Sequence, residues 1–373
     1  MSLATSGLAL VLLLEQSTGS FAIAGGITAV LGLANVVATP WRARIIDRHG
    51  QSAMLTVLGL THASALIALG MLPHAGLPWL VVLGAAAGAT SPPFGATMRV
   101  VWSTALAEGG SRSRGFSLDA VAEELTFAVG PLLAASLAVT VSPLAALVLS
   151  ACCVAGGTVL FVSSPLSRQQ RGSIIMGDKA AGRATSPLRS RGFPTIVVAM
   201  IAPGIILGCI EIAAPAIAAS ESAPFLGGVL LALFSALSAT GGLLYGRVVV
   251  QLRLERQLLV MVAVLLLVSA ATGLVGGTTA ALVGFAISGL FLAPLLIVGY
   301  LAADARADPR VRTEASSWIN TAINLGAALG AALYGSHTDM TGPGLALVIS
   351  AGVAAVITLL CAPLLLQTQP PAV

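Results

Sequence analysis

The sequence predicts an all-α membrane protein, with twelve transmembrane helices in two pseudo-symmetric six-helix bundles. Three observations carry this expectation. Of 373 residues, 57% are hydrophobic and 9% are charged, whereas a soluble domain carries about a quarter charged residues. The apolar residues fall into twelve continuous runs, close to the roughly 20 residues that a membrane span needs. Every Lys and Arg falls in or beside alternate connections between those runs. This composition excludes a soluble globular enzyme, a disordered chain and a secreted disulfide scaffold.

The first run, 2–16, is the shortest. Fourteen residues precede Glu15, or ~21 Å of helix against a hydrocarbon core of about 30 Å. Either Glu15 sits below the outer interface or the start lies upstream. No cationic leader marks the run as a cleaved signal. The second run covers 21–41 and is followed by Arg42, Arg44 and Arg48. The third and fourth cover 52–72 and 77–101, with Arg99, Arg112 and Arg114 at and beyond the end of the fourth. The fifth and sixth cover 115–140 and 143–163.

A polar stretch, 166–192, carries Arg168, Arg171, Lys179, Arg183, Arg189 and Arg191. It reads as a linker between bundles at 1–165 and 193–373. Six further runs follow at 194–219, 224–248, 257–275, 279–302, 313–336 and 343–366. Arg247, Arg253 and Arg256 follow the eighth run, and Arg306, Arg310 and Arg312 follow the tenth. This positive-inside pattern assigns both termini and the even-to-odd connections to the cytoplasm. The runs are too long and too continuous for barrel strands, and backbone in lipid must bond within its own segment, so each is read as a helix.

The halves echo one another. Gly84, Gly88, Pro92 and Pro93 in the fourth run match Gly284, Gly289 and Pro294 in the tenth. Arg112-Ser-Arg114 before the fifth run matches Arg310-Val-Arg312 before the eleventh. Echoes six runs apart are the mark of two parallel repeats around a midplane site.

The loop after the second run reads WRARIIDRHGQ, Trp41 to Gln51. It resembles the Gly-x-x-x-Asp-Arg-x-Gly-Arg/Lys signature of the major facilitator superfamily through Asp47, Arg48 and Gly50. Ala43 or Arg44 stands at the small-glycine position, and Gln51 at the final cation. A weaker copy, Gly242 to Arg247, lacks the acid. Gly130-Pro131 within TFAVGPLLAA resembles the superfamily's antiporter motif, with Thr126, Ala134 and Ala135 in place of its outer glycines. The arginine that many of its proton antiporters carry in helix four is absent; its place by spacing is near Leu80.

The chain as a whole resembles bacterial drug or metabolite exporters of that superfamily. The resemblance implies a monomeric secondary transporter of a bacterial cytoplasmic (inner) membrane, without cofactor. Its partners would be a small organic substrate, protons or another coupling ion, and the lipid bilayer. The loop with Arg44, Asp47, Arg48 and Gly50 would latch the cytoplasmic side.

Charged side chains inside the hydrocarbon are costly and point to function. Asp119 and Glu123 share a helix face one turn apart, and Glu124 lies ~15 Å into the membrane from Arg114. These three are the candidate proton-coupling group, with a structural ion pair to Arg44, Arg48 or Arg99 as the alternative. Glu211, Glu15, Asn320 and Asn324 (with Trp318 nearby) are candidate substrate contacts, against roles as interfacial carboxylates or interhelical bonds. His62 is expected to be a satisfied core group, and Arg99 an interfacial charge near Glu108. Cys152, Cys153, Cys209 and Cys361 lie in apolar runs without metal spacing and are expected in the core. There is no Walker loop, no Gly-x-Ser-x-Gly and no metal-spaced cluster, so neither an enzyme nor a metal site is expected. The cations mark topology, not nucleic acid. Proton-coupled export is the expected function. An importer or facilitator of a small metabolite, and a non-transporting assembly factor, are the rivals.

Overall fold

The structure is a computed structural model. It describes residues 2–106, 110–170, 172, 186–223, 225–248 and 250–367. Among the described residues the regular structure is helical throughout. The helices are α1 (Ser2–Thr18), α2 (Phe21–His49), α3 (Gln51–Met71), α4 (Leu77–Thr90), α5 (Phe94–Ala105), α6 (Gly110–Thr140) and α7 (Pro143–Ser163). They continue with α8 (Pro165–Gln169), α9 (Phe193–Ala199), α10 (Ile201–Ser220), α11 (Leu226–Arg247), α12 (Leu254–Val275), α13 (Gly277–Asp304) and α14 (Arg312–Gln367). All twelve expected runs are helical. Among the described residues, nine helical stretches are long and apolar enough to cross a membrane. The first, fifth and eleventh runs stand outside that set, and they carry Glu15, the acids of α6, and Asn320 with Asn324.

Local chemistry explains the joints. Gly50 alone separates α2 from α3, at φ 92° and ψ 151°, a region that side-chain-bearing residues rarely enter. The eleventh and twelfth runs, together labelled α14, are two helices that meet at Gly342 (φ 81°, ψ 163°), a non-helical residue ahead of Pro343. The fourth run, expected as one helix over 77–101, is broken at 91–93 into α4 and α5. Pro92 and Pro93 have no N–H, so Gly88 and Ala89 lose the donors that a continuing helix would supply.

The chain forms two compact units. The first comprises Met1–Val101 and Leu125–Ala184, the second Trp102–Glu124 and Thr185–Val373. In the first, α2 packs on α4, α3 on α4 and α7, and α1 on α2 and α7. In the second, α11 packs on α13, α12 on α13 and α14, and α10 on α11 and α14. Each pairing of the first unit thus recurs six spans later. Small residues make these contacts close. A Cβ on Gly88 would lie 2.1 Å from the Leu31 carbonyl oxygen, and one on Gly241 would lie 2.0 Å from that of Leu290. Gly204 and Gly208 of α10 meet the Ile323 and Ala327 carbonyls of α14, while Gly326 and Gly330 of α14 meet the Ile201 and Ile205 carbonyls of α10.

Three expectations are corrected. Arg42 is not a loop cation. It lies within α2, is 1% exposed, and is the largest fully buried side chain among the described residues. The apolar run ends before it, but the helix does not. Arg99 is 5% exposed within α5, a buried group and not an interfacial one; Glu108, its expected neighbour, lies outside the described residues. Cys209 and Cys361 are buried, but Cys152 and Cys153 are exposed, because an apolar residue on a span has no need of the protein core.

Candidate functional site

The buried acids of the second unit cluster where α11 joins α12 and α13 joins α14. Asp304, 9% exposed, ends α13 and is held from both sides. Arg112 Nη1 of α6 lies 3.1 Å from its Oδ2, and Arg312 Nε of α14 lies 3.1 Å from its Oδ1. Arg112 also donates to the Ser103 carbonyl at 2.8 Å. Glu255, 6% exposed in the first turn of α12, accepts from Arg306 Nη2 at 2.5 Å, with Arg253 Nε at 3.6 Å. Glu314, 1% exposed, accepts from Ser186 Oγ at 2.8 Å and from Trp318 Nε1 at 3.5 Å. Ser190 Oγ donates to the Arg306 carbonyl at 2.8 Å, so the C-terminal end of the linker clips the α13–α14 connection at two points. Tyr245 donates to Gln257 Oε1 at 2.7 Å beside this cluster.

Buried charges are tolerable only when paired and hydrogen-bonded, and removing one partner strands the other. An array of this kind therefore holds its helices in one preferred geometry. In the first unit, the N-terminal end of the linker lies on the α2–α3 turn. Gln51 N–H donates to the Gln170 carbonyl at 3.2 Å. Gly172 fits so closely that a Cβ would lie 2.3 Å from the Arg48 carbonyl oxygen.

The expected site residues divide between the units. In the first unit, Arg44 and Asp47 are half-buried, Arg48 is exposed and Gly50 is buried at the turn. Glu15 is half-buried in the last turn of α1, where its carbonyl accepts from Gly19 N–H at 2.8 Å. Gly130 is buried within the unbroken α6; the side chain of Pro131 lies outside the described residues. In the second unit, Asp119 and Glu123 are half-buried one turn apart on α6, and the Glu124 side chain lies outside the described residues. Glu211 is exposed on α10, and Asn320 and Asn324 are exposed on α14. The glycine contacts join those two helices. His62 is fully buried, its Nδ1–H donating to the Ala87 carbonyl at 2.7 Å.

Sequence reasoning missed Glu255, Asp304 and Glu314. It counted the cations of those connections and passed over the acids among them. The signal was present as Arg253-x-Glu255, Asp304-x-Arg306 and Arg312-x-Glu314: an acid two residues from an arginine at the end of an apolar run.

The chain is thus a helical, multi-span membrane protein with two similar halves and a polar cluster at its span ends. The family model described as Major Facilitator Superfamily matches residues 1–331, and the chain belongs to that superfamily. Among solved structures, it is similar to the human organic anion transporter MFSD10 (TETRAN), with TM-score 0.71 and 17% identity over 98% of this chain and 97% of that one. It is likewise similar to the E. coli fucose:proton symporter FucP, with TM-score 0.71 and 15% identity over 98% and 96%. A bacterial homologue of the iron transporter ferroportin, in an outward-facing state, gives TM-score 0.70 and 15% identity over 98% and 96%. Comparison with curated proteins gives no match. The chain is a multi-pass membrane transporter and not an enzyme.

Proposed function

We propose that this transporter exports a small amphipathic organic molecule across a bacterial cytoplasmic membrane in exchange for protons, with both termini in the cytoplasm. The observation that carries this reading is the placement of Asp119 and Glu123, half-buried one turn apart on α6, next to Glu124. Closely spaced acids on a helix among apolar spans are costly to keep without a role, and proton exchange is the role proposed for them. Glu211, Asn320, Asn324 and Glu15 would contact the substrate. Arg44, Asp47, Arg48 and Gly50 would form the latch, and Gly130-Pro131 the antiporter-like element. The protein would act as a monomer. The similar structures are an organic anion transporter, a fucose:proton symporter and a bacterial homologue of an iron transporter, so the fold alone does not select a cargo.

The test begins with a thermal-shift screen of purified protein, since a ligand of the folded state raises its melting point. A hit is then added to proteoliposomes that enclose a pH-sensitive dye. The expected result is ligand-dependent proton movement that Glu124→Gln abolishes and Glu123→Gln reduces. Undiminished proton movement in both variants removes the α6 acids from the coupling.

A further inference from the structure

The break in the fourth span leaves backbone carbonyls without helical donors, and buried side chains from two other helices take their place. Ser91 N–H turns back to the Gly88 carbonyl at 3.3 Å and so leaves that of Ala87. Arg42 Nη1 of α2 donates to the Gly88 carbonyl at 2.7 Å, and His62 of α3 donates to that of Ala87 at 2.7 Å. The Arg42 side chain is itself held in place. Its Nη2 is shared among the Asn35 carbonyl at 3.1 Å, Asn35 Oδ1 at 2.7 Å and Thr39 Oγ1 at 2.6 Å. All these acceptors are neutral. What compensates the charge is the C-terminal end of α4, where the helix dipole and the orphaned carbonyls are both negative.

The second unit supplies an internal control. Aligning Ala43-x-x-x-Asp47-Arg48 with Gly242-x-x-x-Gly246-Arg247 sets Arg42 against Gly241. At Gly241, α11 meets α13 backbone to backbone, with a Cβ position 2.0 Å from the Leu290 carbonyl oxygen, and α13 runs unbroken through Pro294. The repeat with the glycine has a continuous helix, and the repeat with the arginine has a broken one.

We infer that Arg42 is the positioning residue of a joint in the fourth span: its guanidinium caps the C-terminal end of α4, so that the helix can end at Ser91–Pro93 with its last carbonyls satisfied. The joint lies shortly before the chain passes, between Val101 and Trp102, from the first compact unit into the second. Both α4 and Phe94–Val101 of α5 belong to the first unit. Arg42 acts here as a resident cation at a helix break, independently of the cargo and of the direction of transport.

The test is a mutant cycle on the full-length protein in lipid nanodiscs, using Arg42→Ala, the double variant Pro92→Ala/Pro93→Ala, and all three changes together. Restoring the two N–H groups lets helix four close on its own carbonyls. Arg42→Ala alone is then expected to lower the melting temperature far more than it does in the proline-free background. Hydrogen exchange over residues 84–98 should quicken by roughly tenfold or more, as loss of a hydrogen bond from a charged group implies. Methylguanidinium should restore slow exchange and methylammonium should not, because only the former reproduces the planar fork of donors. If Arg42→Ala alone does not fold, folding of the triple variant supports the joint, and its failure to fold overturns it. Additive losses around the cycle, or exchange that methylguanidinium leaves unchanged, would also overturn it.

Discussion

Asp304 shows how much one carboxylate holds together. Its two oxygens take arginines from two different helices, α6 and α14, 3.1 Å away on each side. Asp304→Asn keeps the shape and removes the buried charge that two half-buried guanidinium groups face. The expected cost is about 3–5 kcal/mol, measurable by denaturant or thermal unfolding of the purified protein. An unchanged unfolding midpoint would mean that the pairs are ornamental. Gly50 makes a second prediction at this scale. At φ 92° any Cβ is strained, so Gly50→Ala should cost about 1–3 kcal/mol by the same assay. Gly228, a helical glycine with nothing within 4 Å of its Cβ position, should accept alanine with no loss.

Among elements, the closest union is that of α10 with α14, where four glycines bring backbone against backbone. A Cβ on Gly208 would lie 1.9 Å from the Ala327 carbonyl oxygen, and one on Gly330 would lie 2.0 Å from that of Ile205. Gly208→Ala must therefore push the helices apart, with an expected loss of about 1–3 kcal/mol in a thermal melt. The helices themselves were legible in the sequence because lipid reads hydropathy directly: an apolar run of spanning length has no other stable fate. The break in the fourth span was visible as Pro92-Pro93, but the echo with Pro294 argued for equivalence, and the two repeats in fact resolve their prolines differently. Arg42 was misplaced because the apolar run ends at Trp41, whereas α2 continues to His49. The acids of the connections had a local signal beside their arginines, but the pairs they make across the fold did not. Arg112 and Asp304 are 192 residues apart in sequence, and no local pattern announces such a pair. The candidate substrate and proton residues stand where their spans put them; a cargo is recognised by several helices at once, which spacing along one helix cannot specify.

For the whole molecule, repeated architecture and membership of the Major Facilitator Superfamily make this a transporter. The most direct measurement is flux of a screened ligand into inverted and right-side-out vesicles under an imposed pH gradient. Proton-coupled export predicts uphill accumulation in inverted vesicles that are acidic inside, collapse of that accumulation by a protonophore, and its loss in Glu124→Gln. Accumulation that ignores the pH gradient, or that occurs only in right-side-out vesicles, would contradict it.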